Sequence, residues 1–285
     1  MMDTAVEIKK KKRKKIFIGQ IILHVILWAL LFIMLYPLAM ALWNAFKSDL
    51  SYEYTRWYPT LPLRIRNISI AFSMTSQYMF NTVVVGFAGT AGMLVISSLA
   101  SFAFAKMRFP GRSFFFSMVL ALMMVPGVLT LVPSYILYKT LGLHDNLMAL
   151  ILPIWTGGCI FSVFLLTTFF TGLPKDLFEA AQIDGASLFR CYYIIALPLS
   201  MPILGTITIM QIVSVWNDYI WPQLVLSEQK FTVSAGLLLT FKSEYTSNMP
   251  VMFAGYLVAS SPLILLFIFA NKFYIQGLVS TAIKM

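Results

Sequence analysis

A run of seven basic residues at positions 9–15 stops where an apolar stretch begins at Ile16, and that stretch continues to about Phe46. Five further apolar stretches follow, at about 79–105, 113–138, 147–170, 193–221 and 251–274. Hydrocarbon about 30 Å thick is crossed by roughly 20 helical residues, so the pattern predicts six transmembrane helices and an all-α, polytopic membrane protein. A signal peptide has an apolar region of only about 7–15 residues that ends in small side chains. The first stretch here is about twice as long and ends Ala-Leu-Trp-Asn, which predicts an uncleaved first span.

The basic run sets the orientation. With the amino terminus in the cytoplasm, six spans return the carboxyl terminus to the same side, an N-in/C-in arrangement, and the connections at 106–112 and 171–192 are cytoplasmic too. On that topology 14 of the 21 Lys and Arg residues are cytoplasmic and 7 external, the asymmetry expected of short loops. Within the second span Gly86, Gly89 and Gly92, with Ala88 and Ala91, make a small-residue face that lets another helix approach closely. Pro126 and Pro133 predict a kinked, protein-facing third span, because carbonyls freed by proline need partners away from lipid.

Composition narrows the function. Only 11% of the 285 residues are charged and 59% are hydrophobic, which leaves no room for a large soluble domain. An excess of basic over acidic residues in so apolar a chain fixes orientation and does not point to nucleic acid. Cys159 and Cys191 form no CxxC pattern and read as buried free thiols, and His24 and His144 are solitary, so no metal site or catalytic set assembles. There is no GxxxxGK[ST] phosphate loop, so any nucleotide hydrolysis belongs to another chain.

The most informative stretch is the connection at 171–192. Pro174 suits a first helical turn, residues 175–182 are mostly good helix formers, and Asp184-Gly185 supplies a stop. Phe178, Ala181, Ile183, Leu188 and Phe189 give it more apolar surface than a solvated linker needs, and a lipid surface or a protein partner is expected to cover it. Small Ala180, Ala181 and Ala186 favour a close-fitting protein.

Glu179-Ala180-Ala181, Asp184-Gly185-Ala186, Ile195, Leu197-Pro198 and Pro202 resemble the EAA motif of binding-protein-dependent ABC import permeases. Tyr36-Pro37, Asn44, Asn81-Thr82, Ser101-Phe102-Ala103-Phe104-Ala105 and Trp216-Asn217-Asp218-Tyr219 extend the resemblance along the chain and are similar to the carbohydrate branch, the maltose-permease (MalG) type. Where that family often has phenylalanine, this sequence has Tyr192. The resemblance implies a bacterial cell-membrane permease divided into a basic segment 1–15, a transmembrane domain 16–274 with a coupling loop at 171–192, and a cytoplasmic tail 275–285. It implies a second permease as heterodimer partner, two ATPase subunits that bind ATP and Mg in place of any cofactor in this chain, and an extracytoplasmic solute-binding protein. The tail at 276–285 resembles the segment that reaches the ATPase interface in the family.

The resemblance places ATPase coupling on Phe178, Glu179, Ala180, Ala181, Asp184, Gly185, Ala186 and Leu188. Glu179 has a second reading as a solvated acid near a helix start, and Asp184 as the cap of the next turn. Gln211, Trp216, Asn217, Asp218, Tyr219 and Trp221 put planar hydrogen-bonding groups beside aromatic faces, as a sugar path needs, although the rings also suit an interfacial belt. The connection at 227–250 reads as a polar loop, free to meet a binding protein or simply solvated. An ion-coupled secondary transporter is the alternative. It needs ionisable groups near the midplane, and only Asp218 comes close.

Overall fold

The computed structural model describes residues 2–242 and 248–282, with the side chains of 19–240 and 248–269. Helices follow in chain order as α1 (Met2–Asn44), α2 (Asp49–Thr55), α3 (Arg66–Lys106), α4 (Arg112–Leu122), α5 (Gly127–Thr140), α6 (Met148–Pro153) and α7 (Cys159–Thr171). Then come α8 (Lys175–Ile183), α9 (Leu188–Cys191), α10 (Leu197–Leu199), α11 (Met201–Asn217), α12 (Ile220–Val225), α13 (Val233–Lys242) and α14 (Met249–Ala282). No strand occurs among the described residues. Four stretches are long and apolar enough to cross a membrane alone: Gly19–Asn44, Arg66–Lys106, Met148–Thr171 and Met249–Phe269. Two bent pairs, Arg112–Leu122 with Gly127–Thr140 and Leu188–Leu199 with Met201–Asn217, bring the total to six when each pair is one span.

The third, fourth and fifth spans depart from straight helices beside Pro126, Pro153 and Pro198. The third span is broken, not kinked, by 96° between α4 and α5 at Pro126. Neither helix fully buries a residue in this chain, and Met124 and Val128 are 83% and 76% exposed, while Val119 and Tyr138 pack against the bundle, Tyr138 with its ring 5.7 Å from Trp221. The carbonyls at the break are satisfied locally instead, because the amides of Met123, Met124 and Val125 turn back onto Leu120, Ala121 and Leu122 at 3.1–3.2 Å. The fourth and fifth spans each contain a π-helical turn, at Ile154–Gly158 and Tyr192–Ala196, beside Pro153 and Pro198. Proline cannot donate to the carbonyl four residues back and crowds it, which widens the turn.

The chain forms two compact units, one of residues 1–71 with 246–257 and the other of 72–245 with 258–285. In the first, Lys47 is almost fully buried at the end of α1. Its ammonium donates to the carbonyl oxygens of Thr55 and, at 2.6 Å, Tyr58, so backbone dipoles replace an acidic partner. Burial lowers its pKa from the ordinary lysine value. Asn67 closes the same turn by donating to the Ala45 and Lys47 carbonyls at 2.9 and 2.8 Å.

The second unit is built around the small-residue face of α3. A Cβ added at Gly89 or Gly92 would lie 2.6 Å from Ile154 or 2.2 Å from Trp155. The π turn of the fourth span therefore seats in this groove, and the Trp155 indole donates to the Ala88 carbonyl at 3.1 Å. The loop reading of 227–250 is corrected in its first half. Glu228–Lys230 form a 3-10 turn, and α13 buries Val233, Ala235 and Leu237 against Trp216 and Tyr78, because its apolar residues recur at helical spacing. The Thr82 hydroxyl accepts the Val233 amide at 2.8 Å, and Asn81 donates to the Phe231 carbonyl at 3.1 Å, so the Asn81-Thr82 pair holds α13.

Candidate functional site

Residues 174–191 fold as two short helices at a right-handed-to-left-handed stop. Pro174 leads into α8 with extended backbone, and its missing amide costs nothing in a first turn. At the other end Gly185 takes φ +82, the Ala186 amide donates to Ala181 at 2.9 Å and the Gly185 amide to Gln182 at 3.0 Å. That pair of bonds is a Schellman stop, which satisfies two orphan carbonyls and needs a left-handed residue. The cap of α9 is Ser187, whose hydroxyl accepts the Arg190 amide at 3.3 Å, so the capping role read for Asp184 falls to its neighbour.

The faces of α8 divide cleanly. Phe178 points inward and is 6% exposed. Its ring lies 6.2 Å from Phe102, which in turn meets Phe170 at 6.2 Å and Tyr192 at 5.3 Å. Lys106 stands over the Phe178 ring at 4.4 Å and donates to the Leu173 carbonyl at 2.9 Å. Phe178 thus anchors α8 to α3 and α7, its ring turned to the bundle and away from the exposed face of the helix. Ala181 and Ala186 pack against the same cluster, so their small size serves this seat. Glu179, Ala180, Asp184, Gly185 and Leu188 are exposed beside Ile183 and Phe189, which are 86% and 69% exposed, and Glu179 and Leu188 also border the space between α8 and the α3–α4 connection. The extra hydroxyl of Tyr192 is paired with Ser98 at 2.8 Å inside the bundle.

The second group of candidates separates. Gln211, Asp218 and Trp221 line one cavity of about 230 Å³, with Ser214 and Thr232 adding hydroxyls. Trp216, Asn217 and Tyr219 do not line it. Trp216 is buried and donates to the Ala259 carbonyl at 3.1 Å, and Asn217 turns back to Val213 at 2.9 Å. The Trp221 indole donates to the Ala149 carbonyl at 2.9 Å, which is the carbonyl that Pro153 leaves without a helical donor. Sequence spacing could not show that both indoles donate to backbone carbonyls, or that Trp221 meets the one freed by Pro153. The cavity itself is below the roughly 300–1,000 Å³ of a drug-sized site.

The connections on the other side of the bundle are clasped by Asp145, which has φ 58. Its carboxylate accepts the Ser227 hydroxyl at 2.7 Å, the Ser227 amide at 2.9 Å and the Lys230 ammonium at 2.9 Å. The two Ser227 bonds, then Lys230, hold its pKa well below the usual carboxylate range. A carboxyl depressed in the folded state stabilises the clasp above its ordinary value of 3.8, and the support is lost as pH falls below that point. Amide exchange at 227–231, taken relative to the intrinsic rate at each pH, is therefore expected to quicken as pH falls from about 4 towards 2. In Asp145→Asn the exchange is expected to be faster already at pH 6 and to lose that acid step.

Apolar helices long enough to cross a membrane, with an amphipathic helix seated between two of them, define a multi-pass membrane protein. The chain belongs to the family of binding-protein-dependent transport system inner membrane components, whose model matches residues 93–279. It is 30% identical over 289 aligned residues to the probable ABC transporter permease protein YurM of Bacillus subtilis, covering 99% of this chain and 94% of that protein. It is 34% identical over 215 residues to the arabinooligosaccharides transport system permease protein AraQ of the same organism, covering 74% and 75%. The sn-glycerol-3-phosphate transport system permease protein UgpE of Brucella abortus is 34% identical over 208 residues, covering 72% of this chain and 73% of UgpE. In fold it matches a bacterial ABC transporter involved in importing the acidic polysaccharide alginate, with TM-score 0.80, 22% identity, and 90% of this chain and 96% of that chain covered. It is accordingly a multi-pass ABC importer permease of the membrane, and not itself an enzyme.

Proposed function

We propose that this chain is one of two different permease subunits that together move a sugar or oligosaccharide into the cytoplasm, driven by ATP hydrolysis in two separate subunits. In this reading its amino and carboxyl ends are cytoplasmic, ATP and Mg are held by the partner, and an extracytoplasmic solute-binding protein delivers the solute. The observation that carries the reading is α8. A short helix with an outward face of Glu179, Ala180, Ile183 and Asp184 is fixed by Phe178 to the ends of two spans, so force on that face is passed to the bundle. The names of AraQ and of the melibiose/raffinose/stachyose permease MelC support a sugar, while that of UgpE keeps a glycerol phosphate in view. Gln211, Asp218 and Trp221 form this subunit's share of the path, completed by the second permease.

The segments at 1–15 and 275–285 flank the transmembrane domain, and the proposed tail contact at 276–285 lies outside the residues whose side chains are described. The test is purification of the tagged chain with its companions, followed by uptake of raffinose and arabinooligosaccharides into proteoliposomes. A second permease and an ATPase are expected to copurify, and uptake is expected to require ATP. Glu179→Arg reverses an exposed charge, so the chain should still insert while companion binding and uptake fall by at least about tenfold. Uptake by this chain alone, without ATP, would identify an ion-coupled carrier instead.

A further inference from the structure

The connection between α3 and α4 and the face of α8 toward it enclose a cavity of about 590 Å³. Its wall carries Lys106, Arg108, Arg112 and Lys175 against a single acid, Glu179. None of these five side chains is in an ion pair among the described residues. Lys106 spends one donor on Leu173, and Arg112 donates to the Met107 carbonyl at 3.2 Å, which leaves most of their N–H groups for another acceptor. Like charges gathered around one space repel, and a bound anion removes that cost.

Position selects the kind of anion. Lys106 is the last residue of a span and Arg112 the first of the next helix, so the cavity lies where hydrocarbon meets water. Immediately beyond it α4 exposes Phe114, Phe115 and Met118, at 64%, 52% and 51%. We propose that this cavity binds the phosphate-bearing headgroup of an anionic phospholipid, with an acyl chain lying along α4. Basic pockets at the ends of membrane helices accept such headgroups through the combination of charge and adjoining apolar surface. A soluble phosphate satisfies the cations but leaves the apolar rim uncovered.

The test uses the full chain, with the subunits that copurify, in nanodiscs of equal phosphatidylglycerol and phosphatidylcholine, read by native mass spectrometry. The wild-type protein is expected to retain phosphatidylglycerol in at least about tenfold preference, unaffected by millimolar inorganic phosphate. Arg108→Gln with Arg112→Gln is expected to abolish the preference, since each charge is worth about fivefold, and the paired lysine substitutions to restore it. Lys139→Gln, at the end of α5, should leave it unchanged. Equal retention of the two lipids, displacement by inorganic phosphate, or an unaltered preference in the double-glutamine variant would overturn the proposal. If the double variant fails to insert, Arg108→Gln alone makes the same comparison, because Arg108 is exposed on the connection.

Discussion

Phe178→Ala is expected to leave the chain in the membrane while reducing ATP-driven uptake by more than about tenfold. The ring is 6% exposed, stacks toward Phe102 and carries Lys106 on its face. Truncating a buried phenylalanine costs about 3–5 kcal/mol. Here that cost falls on the seat of α8, because the spans keep their own contacts at Gly89, Gly92 and Trp155. Hydrogen–deuterium exchange should therefore rise across 175–183 and stay unchanged in α7. Phe178→Leu, which refills most of the volume, should recover most of the uptake. Uniform loosening of the bundle, or full uptake by the alanine variant, would contradict the anchoring role.

The second large effect is expected at Gly185, and the choice of substitution separates backbone from contact. A Cβ there meets nothing within 4 Å, so a side chain is not excluded by crowding. What opposes it is the left-handed backbone at φ +82, roughly 1–2 kcal/mol for an ordinary residue and more for a β-branched one. Gly185→Val should thus unwind the stop after α8, displace Ser187 from its cap and reduce uptake about tenfold or more. Gly185→Asn should retain most activity, since asparagine tolerates this conformation. Equal loss in both variants would show that the position is needed as bare surface against a partner.

Much of this architecture was legible in the hydrophobic pattern. Six apolar stretches gave the spans, and Pro174 and Asp184-Gly185 gave the bounds of α8, because each acts through local backbone chemistry. The inward turn of Phe178 was not legible. It depends on Phe102, 76 residues earlier, occupying the adjacent position. The same holds for Trp216, whose ring was grouped with the sugar-path candidates but is buried and donates to the Ala259 carbonyl. Aromatic composition suggests a ligand face equally well in both cases, and only tertiary pairing decides. Asn81-Thr82 stood out as a family feature without a visible task until α13 was seen resting on it. The 96° break of the third span escaped prediction for a different reason. Proline signals a break but not where the freed carbonyls find donors, and here they find them within one turn.

The 72° bend between Leu188–Leu199 and Met201–Asn217 would set the gearing of the proposed transport cycle. A straight rod pushed at its end can only slide along its own axis. A bent one swings about its elbow, which here is Ser200, a buried residue whose hydroxyl is tied to Leu197 at 2.9 Å. Twelve helical residues make an arm of roughly 18 Å, so a swing of roughly 10° carries its tip roughly 3 Å. Under the proposed function, a small rotation of the ATPase partners would become sideways travel comparable to the width of a water molecule.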